Sequence, residues 1–518
     1  MSQECQTLDV SSIRATEVLA ALSLTTDLAT GAPLETGLAC CLLATQFARG
    51  LGFDDADTQV VFHTALLSAL GCTAHASENA EYFVDDIAFQ SSLRKLDPGD
   101  PSLFAAQLAE FGSWAGASAP ELSRRFIELA PTEGPLAAQN SCEVSRALGP
   151  RLGLAEPAVA ALADVHERWD GLGVPGLRSA DAIPIPMRIL HVVEQVVHAR
   201  ARGGAAAVRA ELSRRSGRHL DPDLVSAFLA DADTLLAGLD VLDLLAAVVA
   251  AEPGPAVMIP ADRLDDLCLN LAIVVDLKGR YLLGHSAHVA ALAEAAAALT
   301  GMPADDRARL RAAALLHDLG RAAVPAAVWD RPGPLSSGEW ELVRLHAYWT
   351  GRILQRCPAL AELAPIAAGH HERGDGSGYH RGARTAELSP MARMLGCADA
   401  YAAATEERPY RPALTAAQAT AQLTREAAAG RLDREATAAL IEAAGQRRPQ
   451  PEWPCGLTDR EVEVLRLAAR GLSNHRIAEQ LVVSDRTVGH HLAHIYDKTD
   501  RRTRAGAAVF AMEHGLLG

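Results

Sequence analysis

The chain contains one unit twice, and no other feature limits its possible folds so strongly. Leu22 to Gly71 aligns without a gap on Leu271 to Gly320, at a constant offset of 249 residues. Asp27-Leu28 meets Asp276-Leu277, Gly52 meets Gly301, and ALLSALG at 65–71 meets ALLHDLG at 314–320. Further on the offset becomes 205: HERWDGLG at 166–173 meets HERGDGSG at 371–378, and Arg188 and Glu194 meet Arg393 and Asp399. Gly, Asp and Arg positions coincide as well as apolar ones, so this is a duplication and not alanine-rich helix resembling itself. The offsets differ by 44 residues, which gives the first copy an insertion of about that size between Thr73 and Pro135. Polar and broken by Pro and Gly, the insertion reads as a mixed helical excursion on the surface.

Apolar residues reach 49% of the 518 while aromatics are only 4%, so the core must be closely packed alanine- and leucine-rich helix. Stretches such as Val289–Leu299 and Arg307–Leu316 place apolar residues at i, i+3, i+4, and no set of alternating strands appears. The expected fold class is all-α: two tandem helical bundles and a smaller C-terminal one. Pro and Gly in EPGPAVMIP at 252–260 mark a linker between the copies, and GQRRPQPEWPCG at 445–456 marks a second. The expected domains are therefore 13–251, 262–445 and 456–518. A net charge of −16 excludes a protein that coats nucleic acid or a membrane surface, and leaves DNA contact to a local patch. Nine cysteines without Cys-x-x-Cys spacing suit reduced, buried thiols. The opening MSQECQTLDV lacks a signal peptide's basic and apolar regions, and Leu242–Ala251 is too short to span a bilayer. The expectation is a cytoplasmic protein with no membrane partner.

The second copy concentrates metal-ligating chemistry. His285 is followed by His317-Asp318, His346, the pair His370-His371 and Asp399, mostly among small or apolar helical neighbours. Mixed nitrogen and oxygen donors suit Fe, Mn, Zn or Ni rather than Mg or Ca. An adjacent His-Asp can give one metal an imidazole and bridge two with its carboxylate, and two metals together can acidify a water and hold a phosphodiester for in-line attack. The first copy has lost this set. At the positions of His285, His317, Asp318 and His370 it carries Thr36, Ser68, Ala69 and Val165, leaving His166 and Glu194.

Four spaced motifs, ALLHDLGR, RLHAYWTGRIL, GHHERGDGSGYH and ADAYAAATEERPYR, resemble the HD-GYP domain, a branch of the HD metal-dependent phosphohydrolases. The resemblance covers residues 262–445, with 13–251 as a degenerate copy. It implies tandem HD-like bundles and two divalent ions, Fe or Mn first and Zn or Ni as alternatives. His285, His317, Asp318 and Asp399 would hold one ion, with Asp318 bridging. His346, His370 and His371 would hold the other. It also implies hydrolysis of cyclic di-GMP, with Asp318 and Arg321 as catalytic groups and Arg321, Arg408 and Arg411 as phosphate contacts. Three departures stand out: Arg321 replaces the family's lysine, His380 replaces the proline of the GYP turn, and Ala402 replaces a usual acid. Tyr281 stands where three-metal members carry a glutamate, so two ions are expected.

Residues 456–518 read as capped short helices. Thr458 and Glu461 form a capping box, Ser473 and Ser484 cap the next two helices, and Val482-Val483-Ser484 is the turn of a helix-turn-helix. The segment resembles the LuxR-type DNA-binding domain almost end to end. That resemblance places Arg486, Thr487, His490, His494 and Lys498 on the groove-facing side of the recognition helix. It makes Glu461, Leu465, Ile477, Val488 and Ile495 structural. Gly489 departs from the usual basic residue there.

Together these features predict a transcriptional regulator, a homodimer on double-stranded DNA, whose HD-GYP-like domain binds and hydrolyses a cyclic dinucleotide. Domain order suggests that ligand occupancy alters DNA affinity. Two other readings stay open: a non-catalytic regulator that uses the HD units as scaffold, ligand sensor or dimer interface, and a phosphohydrolase of another nucleotide.

Overall fold

The computed structural model describes residues 12–445 and 453–517. The opening decapeptide and residues 446–452 of the second expected linker lie outside that range. Among the described residues the only strands are β1 (Ser12–Arg14) and β2 (Met258–Pro260), paired antiparallel with Ile13 opposite Ile259. β2 falls within the stretch read as the first linker, so the start of one copy is pinned beside the start of the other.

The first copy is built on α1 (Ala15–Ala29), α2 (Thr36–Gly50), α3 (Asp55–Leu66), α4 (Ala119–Leu148) and α5 (Ile185–Arg215). The second repeats the plan with α6 (Leu264–Asp276), α7 (His285–Leu299), α8 (Ala304–Leu316), α9 (Ser337–Arg356) and α10 (Pro390–Thr405). Local devices recur at the offsets the sequence sets. The residue before the second helix is left-handed in both, Glu35 at φ 72° and Gly284 at φ 77°. Asp27 Oδ1 accepts from Gly37 N at 3.1 Å, and Asp276 Oδ2 from Ser286 N at 3.2 Å, so each aspartate satisfies an orphan donor in the next helix's first turn. Ser286 also donates its hydroxyl to Asp276 at 2.9 Å. Gly37 has no hydroxyl to give, and Asp27 Oδ2 is buried without a partner.

The copies share one continuous apolar core, which includes Leu19, Leu22 and Leu43 from the first and Leu310, Leu316 and Leu395 from the second. Helix α1 packs on the turn 319–323 and on α9 of the other copy. The Thr73 hydroxyl in turn donates to Val274 O in α6 at 2.6 Å.

The insertion is helical, as expected, and its second half lies largely on the surface, but its first part is not a surface excursion. Short helices at 76–83, 86–93 and 101–110 gather Phe83, Phe89, Phe111 and Phe126 into an aromatic cluster, with Phe83 stacked on Phe89 at 4.1 Å. Its Asp86 is then buried against the second copy, accepting from Lys278 Nζ at 2.8 Å and from Ala326 N at 2.7 Å. Buried charges need such partners, and the partners here lie in the other repeat.

The C-terminal helices are α11 (Asp459–Ala469), α12 (Asn474–Leu481), α13 (Asp485–Thr499) and α14 (Arg504–Glu513). The capping box at Thr458 and Glu461 forms in both directions, and Ser473 and Ser484 cap α12 and α13. Leu465, Ile477, Val488 and Ile495 make a separate small core. Helix α14 faces two ways: Phe510 and Ala511 enter that core while Val509 and Met512 join the main one. Arg502 N donates to Glu143 Oε1 at 2.9 Å, and Arg151 pairs with Glu513 at 2.8 Å, so this unit is seated on α4 of the first copy. No helix among the described residues is long and apolar enough to cross a membrane.

Candidate metal centre

Helix α8 stops one residue before the His317-Asp318 pair, and a 3-10 turn at 319–323 follows. Thr350 fixes that turn to α9. Its Oγ1 accepts from Gly320 N at 2.9 Å and its hydroxyl donates to His317 O at 2.9 Å. Since α9 also carries His346, one threonine sets the spacing between two groups of donors.

All seven residues named from the sequence converge. Asp318 is central and divides its oxygens. Oδ2 lies 2.9 Å from His317 Nε2 and 3.7 Å from His285 Nε2, while Oδ1 lies 3.4 Å from His346 Nε2 and 3.6 Å from His370 Nε2. Asp399 Oδ1 is 3.2 Å from His285 Nε2, and its Oδ2 is 3.6 Å from His371 Nδ1. His285, His317, Asp318, His346, His370 and Asp399 are buried; His371 is partly buried under the stacked ring of Tyr379, 4.6 Å away. Both Asp318 oxygens and His317 Nε2 are buried yet make no hydrogen bond. Buried polar atoms are normally satisfied, so this unspent donor set fits divalent cations.

The outer ring nitrogens orient the imidazoles. With Nδ1 protonated, His317 donates to Ala314 O at 2.7 Å, His370 to Ala367 O at 2.6 Å and His346 to Val343 O, each one turn back along its own chain. Their Nε2 lone pairs then face Asp318. Burial works to raise both carboxyls, but Arg321 and His317 beside Asp318, and His285 and His371 beside Asp399, hold them well below the usual carboxylate range. Burial and neighbouring imidazoles push His370 down to about 3, so it stays neutral and available as a ligand.

The arginines divide. Arg321 is buried, its Nη2 forms an ion pair with Asp318 Oδ2 at 2.8 Å, it lies over the Trp329 ring at 5.1 Å, and its Nε and Nη1 have no partner. It remains suited to a phosphate oxygen. Arg411 does not: its donors go to the carbonyls of Ala403, Ala404 and Pro412, where they close the C-terminal end of α10. Arg408 is likewise committed, to Tyr281 O and to Glu406 Oε2 at 2.9 Å.

Two contributing residues escaped the sequence reading. Glu372 is buried and accepts from Arg381 N and Ala383 N, both at 2.8 Å, which holds the GYP-type turn that lacks its proline. Its signal was available, because Glu167 of the first copy does the same for Gly176 N and Leu177 N. Glu406 Oε2 meets His285 Nδ1 at 2.7 Å across 121 residues of sequence; it lies inside the stretch ADAYAAATEERPYR, which by itself gives it no role.

On α13, Arg486, His490 and His494 are exposed and Thr487 partly so, its hydroxyl bonded to Ser484 Oγ. Lys498 is engaged within the fold, donating to Glu461 Oε2 at 2.7 Å and to Gly456 O at 2.9 Å. The buried Glu461 thereby claims a charge that the sequence assigned to DNA.

Known proteins match both halves of this picture. The HD domain family matches residues 271–436, and the LuxR family of bacterial regulatory proteins matches 456–511. The 3'3'-cGAMP-specific phosphodiesterase 3 of Vibrio cholerae is 30% identical over 435 residues, covering 82% of this chain and 94% of its own. A match of that length runs far beyond the second copy. A cyclic di-GMP phosphodiesterase of Pseudomonas aeruginosa is 35% identical over 166 residues, 32% of this chain and 40% of its own. The crystal structure of a cyclic GMP-AMP specific phosphodiesterase of V. cholerae superposes with a TM-score of 0.59 at 25% identity, covering 84% of this chain and 99% of that one.

Proposed function

The chain belongs to the HD-domain phosphodiesterases and ends in a LuxR-type DNA-binding domain, and from that premise we propose that it hydrolyses a cyclic dinucleotide at the centre around Asp318 and binds double-stranded DNA through α13. The observation that carries the catalytic half is the unspent, buried donor set, with one Asp318 oxygen toward each group of imidazoles. His285, His317, Asp318 and Asp399 would hold one divalent ion and His346, His370 and His371 the other, with Fe or Mn expected first. Bound there, the ions supply Lewis acidity and a nucleophile acidified toward neutral pH. The chain's own share is electrostatic and positional. Arg321 offers Nε and Nη1 to a phosphate oxygen, and Trp329 and Tyr379 wall the centre against bulk water. The relative matched over both copies is named for 3'3'-cGAMP, so that dinucleotide is the first substrate to assay, with cyclic di-GMP beside it.

In this reading residues 262–445 are the catalytic domain, 13–251 a degenerate copy that buttresses it, and 456–518 the DNA-binding unit. The protein works in the cytoplasm as a homodimer. Occupancy of the centre reaches the DNA-binding unit through Glu406, which touches His285, and Glu407, which pairs with Arg470 at 2.9 Å. Elemental analysis of anaerobically purified protein beside a His317→Ala, Asp318→Ala variant tests the metal reading. About two equivalents in the wild type and far fewer in the variant are expected. Absence of metal from the wild type after reconstitution refutes it.

A further inference from the structure

Three of the buried imidazoles borrow a carbonyl from one turn back to fix their outer nitrogen, as described above. His285 cannot. It is the first residue of α7, the residue before it is the left-handed Gly284, and the carbonyl three residues back, Leu282 O, already accepts His285's own backbone N–H at 3.0 Å. A ring at this position needs its orienting acceptor from another element, because a histidine ligand is normally held by a hydrogen bond at its second nitrogen.

Glu406 supplies that acceptor. It is the residue that follows α10, the helix that carries Asp399. The His285 ring is thereby gripped on both edges by one helix, Nε2 at 3.2 Å from Asp399 Oδ1 and Nδ1 at 2.7 Å from Glu406 Oε2. The carboxylate is itself fixed: its Oε1 meets His288 Nδ1 at 2.9 Å and its Oε2 accepts from Arg408 Nη2 at 2.9 Å. Arg408, anchored in turn on Tyr281 O, joins the same arrangement. By the repeat offset the first copy has Ala201 in place of Glu406 and Thr36 in place of His285, so the carboxylate and the imidazole it serves are absent together.

We propose that Glu406 is a positioning residue of the phosphodiesterase centre, fixing the orientation and tautomer of His285 so that Nε2 is presented to the ion shared with His317, Asp318 and Asp399. The proposal rests on the metal reading above. It assigns Glu406, with His288 and Arg408 behind it, to one subsite only; His346, His370 and His371 have their own local acceptors or Asp399.

Metal affinity of the full-length protein, titrated with Mn(II) after chelation, is the test. Glu406→Ala is expected to weaken one of the two ions by about 10- to 100-fold, the range for loss of such a hydrogen bond, and to leave the other ion unchanged. The thermal midpoint of the metal-free protein should also stay in place. Glu406→Gln keeps an acceptor for Nδ1–H and should recover most of the affinity, to within several-fold of wild type. His288→Ala should fall between the two. Glu406→Ala binding both ions as tightly as wild type overturns the proposal. So does parallel loss of both ions with a lowered thermal midpoint, which would make Glu406 a packing residue. Wild type that binds no ion overturns the metal reading itself, and is seen without any variant.

Discussion

Gly320→Ala probes the joint on which the centre depends. A Cβ at Gly320 would stand 2.7 Å from Thr350 N and 2.8 Å from the carbonyl carbon of His346, and nearer still to His346 O. Each is at least about 0.6 Å short of an ordinary 3.4 Å contact, and the atoms in the way are helix backbone that cannot swing aside. Either the 319–323 turn or α9 must retreat. Overpacking of this kind typically costs about 1–3 kcal/mol, so a thermal midpoint lower by several degrees is expected. The functional effect should be larger than the stability effect. Retreat separates Asp318 from His346, whose Nε2 lies 3.4 Å from Oδ1, and misplacement approaching 1 Å costs on the order of 100-fold in positioned chemistry. Metal titration, thermal melting and cyclic dinucleotide turnover should be measured together. Gly338→Ala is the control: it is exposed in the first turn of α9 with nothing within 4 Å of its Cβ, so it should change stability by no more than about 0.5 kcal/mol and leave metal binding alone. If Gly320→Ala melts as wild type does and binds two ions as tightly, the joint does not set the spacing between the donor groups.

Burial holds Asp27 up at about 8, against an ordinary value of 3.8, so the fold keeps it protonated where the unfolded chain does not. Its contribution is fully present below pH 3.8 and is lost at about 1.4 kcal/mol per pH unit as pH rises toward 8. Asp27→Asn should therefore stabilise the protein more at pH 8 than at pH 5 in urea melts; a pH-independent difference contradicts the assignment. In the C-terminal unit, Arg486→Ala should weaken DNA binding and lower the salt slope by about 1 in a titration. Lys498→Ala should instead destabilise the unit by about 1 kcal/mol through Glu461, with little change in that slope.

The duplication, the helical class, the seven metal-ligand candidates and the caps of the C-terminal helices were all legible in the sequence. Each depends on short-range pattern or on residue types that do little else when grouped. Asp27 and Asp276 show how far this reaches: the repeat offset alone pairs them, and both cap the next helix's first turn. What the sequence left open are the fates of groups whose partners lie far along the chain. Arg321, Arg408 and Arg411 look alike as candidate phosphate contacts, and only the fold shows that two of them are spent on Glu406 and on backbone carbonyls. The first part of the insertion looked like polar surface, but Lys278, 192 residues from Asp86, buries that carboxylate. Glu406 carried no signal because its role is defined by where His285 begins its helix. A hydrogen bond needs its two atoms within about 3 Å, and the tertiary fold alone brings residues 121 positions apart to that distance.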